Sequence, residues 1–340
     1  MSKITELAEE LRQLLAGGAF PAGARFPSEY ELMRRYDVSR LTANKAVALL
    51  TAEGLLERGR RGSGTFVRCE RKFPRNWIAM LADISHPYTA RIVAGAANTA
   101  LTANCMLSIF NPNVPDISDT LGKLARSECL GVLTINYGQL PDDFAKPVIY
   151  LDNGFNNNSG KPRHSITCDN YGAAVEMMTR ILNTGCREVA LVTAPHQQHR
   201  AMRLRGFLDA MRQGGLADPE SRSFVIQDSK ERYEMQQTIR AILKRFPGVR
   251  YIVTDSDDIV LRIMEVSKID GLDCPGRIKL SGFGNVYGIA DIHHIPTVDQ
   301  HPWHIGMEAV NALLKLVKEG DNGQVIDIQV PAEVIHTEFL

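Results

Sequence analysis

The chain has 340 residues, 44% of them hydrophobic, and its 39 Lys and Arg are balanced by 39 Asp and Glu. That apolar content suffices for two or three compact domains and excludes a disordered, fibrous or strongly polyionic chain. The opening stretch MSKITELAEELRQLLAGG carries acids at Glu6, Glu9 and Glu10 and no long apolar run, so neither a secretory signal nor a membrane span is expected there. Six cysteines without a CxxC pair point to reduced, mostly buried thiols in a cytoplasmic protein, with no metal or other cofactor expected.

The neutral total hides an asymmetry. Residues 1–75 hold 14 Lys and Arg against 9 Asp and Glu, and the remainder holds 25 against 30, so a polyanion partner belongs to the first segment. There Ile4, Leu7, Ala8, Leu11, Leu14 and Leu15 recur at helical spacing, and Gly17 and Gly18 end the run. Ser28 and Glu31 form a capping box that starts a short helix through Leu32, Met33 and Tyr36. Asp37 and Val38 turn the chain, and Ser39 caps a third helix that stops at Gly54. Its apolar stripe is Ala43, Ala46, Val47 and Leu50; its other face presents Arg40, Leu41, Asn44, Lys45 and Ala48. Residues 55–58 and 65–67 read as two short strands around a turn from Gly59 to Gly64.

Three helices and a ribbon make a winged helix-turn-helix, an α+β domain expected over residues 1–68. The head of its third helix presents Arg and Asn to base edges in a major groove. The candidate DNA contacts are Ser28, Ser39, Arg40, Thr42, Asn44 and Lys45, with Arg60, Arg61, Gly62, Ser63 and Gly64 at the wing. Glycine lets the wing tip approach phosphates closely, and the arginines neutralise them.

The run FPSEYELMRRYDVSRLTANKAVALLTAEGLLERGRRGSGTFV resembles the GntR-type winged helix, with its Pro-Ser-Glu helix start, Val-Ser-Arg turn, Glu-Gly-Leu helix end and Gly-x-Gly-Thr-Phe-Val wing. The resemblance covers residues 4–67. It implies that Arg40 and Thr42 contact DNA at the head of the recognition helix and that Gly62 to Gly64 form the wing tip. Asn44 stands where the family often has Arg, and Tyr30 where some members have Arg, so a base preference does not carry over.

Residues 69–76, charged and containing Pro74, read as a linker. Beyond them, strand-like runs at 77–82, 106–110, 131–135, 147–151, 189–193, 223–226, 251–254 and 279–283 alternate with helical segments. The helical segments fall near 90–101, 117–127, 171–184, 203–213, 235–244, 259–267 and 305–317. Such alternation implies parallel sheets covered by helices, and the length favours two sheets over one.

Blocks such as ADISHPYTARIVAGAANTA, ITCDNYGAAVEMMTRILNTGCREVALVTAP and RLRGFLDAMRQGGL follow one another as in the LacI/GalR-type effector-binding domain, itself similar to periplasmic sugar-binding proteins. The resemblance spans residues 77–340. It implies an α/β, periplasmic-binding-protein-like core of two lobes joined by crossing strands, a small-molecule cleft between them, and a homodimer. Together with the GntR-type reader it gives an arabinose-repressor-like architecture. Strand C-termini in open α/β sheets face the ligand crevice, which nominates Asp83, Tyr88, Asp152, Ser256 and Asp257, with Gln300 in the late crossover. Arg203, three before Gly206, matches the family's ligand-binding arginine, and its planar fork suits sugar hydroxyls or a carboxylate. Gly284 and Asn285 stand where many sugar-binding relatives carry an Asp, which leaves the ligand class open.

Other chemistries find little support. The spacing Gly282, Gly284, Gly288 is one residue too long for a dinucleotide fingerprint and follows a late strand. Neither Asp255, Asp257 and Asp258 nor the histidines at 293, 294, 301 and 304 have metal-ligand spacing. No nucleophile elbow or phosphate loop is present. The expectation is a transcriptional regulator that binds operator DNA, not an enzyme or a membrane protein: a repressor of carbohydrate uptake or utilisation genes released by a sugar-like effector. The alternative is a ligand-sensing module whose winged helix serves protein association.

Overall fold

The computed structural model describes residues 3–21, 23–59, 63–68, 76–113, 116–138, 140–152, 163–194, 198–228, 231–320 and 323–340. The chain forms two compact units, Met1–Phe73 and Pro74–Leu340. Among the described residues, no helix is long and apolar enough to cross a membrane.

In the first unit, α1 (Lys3–Ala16), α2 (Glu29–Tyr36) and α3 (Arg40–Ala52) precede a ribbon of β1 (Leu56–Arg58) and β2 (Thr65–Val67). The Ser28 side chain accepts from the Glu31 N–H while Glu31 reaches back to the Ser28 N–H, so two donors left open at the helix start are satisfied. At its other end α2 stops at Asp37, whose left-handed φ of 47° turns the chain toward Ser39. Ser39 then caps α3 by accepting from the Thr42 N–H at 3.2 Å. Leu7, Leu11, Phe26, Leu32, Ala43, Val47, Leu50 and Leu56 close one small core, so the stripe of α3 is buried while Arg40, Leu41, Lys45 and Ala48 face solvent. β1 and β2 pair antiparallel with Leu56 opposite Val67, and Arg25 bridges to Phe66 on the ribbon's other edge.

The second unit holds a six-stranded and a four-stranded sheet. The first contains β3 (Trp77–Leu81), β4 (Met106–Phe110), β5 (Val132–Ile135), β6 (Val148–Leu151), β7 (Ser165–Cys168) and β13 (Asp327–Val330), all paired in parallel in the order β13-β7-β6-β5-β3-β4. The second contains β8 (Val189–Thr193), β9 (Ser223–Val225), β10 (Tyr251–Thr254) and β11 (Lys279–Ser281), also parallel, in the order β11-β10-β8-β9. Helices α4 (Pro87–Thr102), α5 (Ile117–Arg126) and α11 (Pro302–Glu319) serve the first lobe; α6 (Asn170–Asn183), α7 (Gln198–Gln213), α8 (Arg232–Arg245), α9 (Asp257–Asp270) and α10 (Ile289–His293) serve the second. The chain passes between lobes after β7, after β12 (Thr297–Asp299) and between β13 and β14 (Glu333–Ile335), and β12 pairs antiparallel with β14.

Two glycines set the closest packing of the first lobe. A Cβ at Gly306 of α11 would stand 2.0 Å from the Ile92 carbonyl oxygen, and one at Gly95 of α4 would stand 2.1 Å from the Trp303 carbonyl oxygen. The two helices therefore meet backbone to backbone, which only glycine permits.

The sequence reading missed β7, β12, β13 and β14. These segments are three or four residues long and read SITC, TVD, DIQV and EVI, so none carries the apolar run that marks the other strands. The helix expected near 203–213 begins five residues earlier, at Gln198, which brings a further turn of it to the end of β8.

Candidate functional site

In the first unit the candidate DNA contacts fall on α2, α3 and the ribbon. Arg40 is the first residue of α3 and exposed; its Nε lies 3.5 Å from Glu29 Oε2, and its guanidinium lies 5.1 Å from the Tyr30 ring centroid. Asn44, one turn on and half-buried, donates through Nδ2 to Glu29 Oε1. Lys45 is exposed, and Thr42 shares a 2.8 Å hydrogen bond between hydroxyls with Ser39. Ser28 is occupied by its capping box. Ser63 and Gly64 are exposed, and Gly64 has a φ of 97°. Arg60, Arg61 and Gly62 lie outside the described residues, as do residues 69–75 of the expected linker.

In the second unit a cavity of about 230 Å³ opens between the lobes at the C-terminal ends of the strands. Tyr88, Asp152, Arg203, Ser256, Asp257 and Gln300 all line it, the placement expected of a crevice where loops of an open α/β fold meet. Asp83 is the exception. It is exposed, outside this lining, and its Oδ1 accepts from the Ser85 N–H at 2.9 Å within the turn after β3.

Arg203 is the centre of the floor. On α7 it is buried, donates through Nε to Asn170 Oδ1 at 2.7 Å and through Nη1 to the Asp255 carbonyl oxygen at 2.8 Å, and stacks 3.9 Å from the Phe283 ring centroid. Three residues earlier on the same helix, Arg200 pairs with the fully buried Asp255 at 2.8 Å. Burial raises the Asp255 carboxyl, and the two arginines pull it back. Burial also drives His199 well below the ordinary histidine value, reinforced by Arg203 and Arg200, so its imidazole is neutral.

Asp152 ends β6 in a left-handed conformation with φ 54°. Burial pushes its carboxyl up to about 6, against the opposing pull of Arg203, Tyr88 and Asn170. Its Oδ1 is buried with no hydrogen-bond partner among the described residues, and so is Ser256 Oγ, and both residues line the cavity. Buried polar groups without partners are rare and costly, and a ligand bearing hydroxyls satisfies both an acceptor and a donor–acceptor of this kind. Gln300 donates through Nε2 to Tyr88 Oη at 3.3 Å and to Cys168 Sγ at 3.1 Å, tying the crossovers to α4.

Asp257 takes a different part. Its Oδ2 accepts from the Val286 N–H at 2.8 Å and its Oδ1 from Thr297 Oγ1 at 2.7 Å, so one oxygen holds the loop after β11 and the other the start of β12. Burial pushes this carboxyl up to about 6, countered by those bonds. Beside it, Asp258 faces His86 across the mouth at 3.2 Å. In and around the cavity, Asn170, Arg200 and His86 are not expected from the sequence, and Asp255 and Asp258 are considered only as metal ligands. Arg200 left a local signal, since it stands on the same face of α7 as Arg203, and Asp255 another, since it follows β10 directly. Among the described residues, no three His, Cys, Asp or Glu side chains are placed to hold a metal ion.

The chain joins a GntR helix-turn-helix domain to a periplasmic-binding-protein-like core. Residues 3–67 match the gntR family of bacterial regulatory proteins, and residues 178–336 match the periplasmic binding protein-like domain. Two relatives that align along nearly the whole chain are arabinose metabolism transcriptional repressors. That of Halalkalibacterium halodurans is 22% identical over 330 residues, covering 90% of this chain and 87% of its own. That of Geobacillus stearothermophilus is 21% identical over 365 residues, covering 98% and 96%. Among solved structures, the complex of the transcriptional regulator CelR with cellobiose shares the fold at a TM-score of 0.67 and 17% identity, over 88% of this chain and 90% of its own.

Proposed function

We propose that this chain is a homodimeric repressor of carbohydrate uptake or utilisation genes. Its α3 and wing hold double-stranded operator DNA, and a small sugar-like effector in the cleft releases it. The observation that carries the reading is the convergence of Arg203, the unpartnered Asp152 Oδ1 and the unpartnered Ser256 Oγ in one cavity at the strand ends. At about 230 Å³ the cavity falls below the roughly 300–1,000 Å³ of sites for drug-sized ligands, which suits a monosaccharide. Its charge disfavours an anionic one: Asp255 offsets Arg200, and Asp152, Asp257 and Asp258 outnumber Arg203. The arabinose relatives and the cellobiose complex support the same ligand class.

In this reading the effector alters lobe and dimer geometry until two reading heads no longer fit two half-sites together. A thermal-shift screen over pentoses, hexoses, sugar acids and sugar phosphates tests it. An effector at 100 times its dissociation constant adds about 2.7 kcal/mol to stability. A shift with a neutral pentose or hexose supports the reading; silence from every neutral sugar beside a shift with a phosphate or acid contradicts it.

A further inference from the structure

We propose that Asn44 reads an adenine in the major groove and that Glu29 holds it in the orientation for doing so. This rests on the DNA-binding reading above and goes beyond it, to the base chosen and the residue that positions the reader.

Ser28 and Ser39 cap α2 and α3, which places Glu29 in the first turn of one and Arg40 at the first position of the other. Asn44 follows Arg40 by four residues and shares its face. Glu29 stands between them, with Oε1 accepting from Asn44 Nδ2 and Oε2 3.5 Å from Arg40 Nε. A carboxylate only accepts, so the amide must turn its NH2 toward Glu29 and its oxygen away.

That orientation leaves Asn44 with the Oδ1 acceptor and the second N–H of Nδ2. Adenine offers the complement in the major groove, an N6 donor beside an N7 acceptor. Guanine presents two acceptors there, which would leave the amide oxygen facing another oxygen. Thymine presents an acceptor and a methyl group, and cytosine a donor alone. Arg40 offsets the charge that Glu29 would otherwise turn toward the phosphates, while its guanidinium rests against Tyr30.

The test selects duplexes from a randomised library with the full-length protein and its variants. The wild type is expected to enrich a half-site with adenine at one position, where replacing that base lowers affinity roughly 5- to 100-fold. Asn44→Ala, a helix-compatible change, should lose the preference at that position alone. Asn44→Arg should convert it to guanine, the base that a forked cation reads. Glu29→Ala should weaken the adenine preference severalfold, read as the ratio of affinities for duplexes with and without that adenine, and Glu29→Gln, which retains an acceptor for Asn44, should restore it. A defined half-site that ignores every substitution at position 44 overturns the assignment, as does a preference for cytosine that follows Glu29. If the wild type enriches no sequence at all, the DNA-binding reading falls, and this assignment falls with it.

Discussion

His86 Nε2 stands 3.2 Å from Asp258 Oδ2, joining the head of α4 in one lobe to the head of α9 in the other. His86 Nδ1 accepts from the Tyr88 N–H, so the proton of a neutral ring sits on Nε2 and is donated to the carboxylate. Burial pulls the Asp258 carboxyl upward, yet the hydrogen bonds from His86 and Tyr287 and the nearby charge of Arg200 outweigh it, and the net shift is downward. Nearby, Arg91 Nη1 donates to the Asn285 carbonyl oxygen at 3.2 Å across the same mouth. These contacts favour the closed lobes. His86→Ala or Asp258→Asn should therefore weaken effector binding about 3- to 10-fold, the worth of one hydrogen bond, as read by calorimetric titration. Unchanged affinity in both variants would mean that the contact does not bear on closure.

Arg203→Ala removes the group that ties α7 to Asn170 and to the Asp255 carbonyl. Effector affinity should fall by roughly 2–4 kcal/mol, tens- to several hundred-fold. Operator binding by the ligand-free variant should barely move. A variant that still releases DNA at the wild-type effector concentration would remove Arg203 from the pocket's chemistry.

Asp152 gives the site a pH dependence whose sign follows from burial. Its carboxyl is raised from 3.8 to about 6, so the folded chain binds this proton more tightly than the unfolded chain does. The ionised group thus costs stability above pH 6, and the cost is relieved as pH falls from 6 toward 4. Effector binding runs the other way, because the carboxylate accepts from a hydroxyl more strongly than the neutral acid does. Affinity for a neutral sugar should be level above pH 7 and decline below 6. Asp152→Asn should bind more weakly and lose that decline; a variant that keeps the wild-type pH profile would assign the profile to another group.

How much of this was legible in the sequence follows the range of the interaction. Ser28 with Glu31, and Ser39 before the stripe of α3, act within four residues, and the winged helix could be read from them. The strands β7 and β13 form one ladder from segments 162 residues apart, Ser165 opposite Asp327. No local pattern announces such a pairing. The pocket divides in the same way. Arg203 carried a motif, whereas Asn170 matters only because α6 delivers it to Arg203, and Asp255 because its burial demands Arg200. Asp83 met the rule of strand ends but sits on an exposed turn, bonded to Ser85.

The close contact of α4 with α11 is open to a stability test. A methyl at Gly306 would meet backbone atoms of Ile92 and Ala96, which cannot step aside as a side chain can. Gly306→Ala should cost about 1–3 kcal/mol and lower the unfolding temperature of the second unit by several degrees. Gly248→Ala, whose methyl would meet only Glu188 Cγ at 3.9 Å, should leave it nearly unchanged. Equal melting of the two variants would mean that the helices separate at little cost.

The most direct measurement of the whole account is a titration of the full-length protein, by fluorescence anisotropy, onto duplex DNA from upstream of its own gene. It is run with and without the neutral sugar that raises the melting temperature. The account predicts a steep salt dependence, with affinity falling roughly 1,000-fold or more between about 50 and 200 mM salt, and a loss of about 5- to 150-fold when saturating sugar is added. A flat salt dependence, or DNA affinity that saturating sugar leaves untouched, would contradict it.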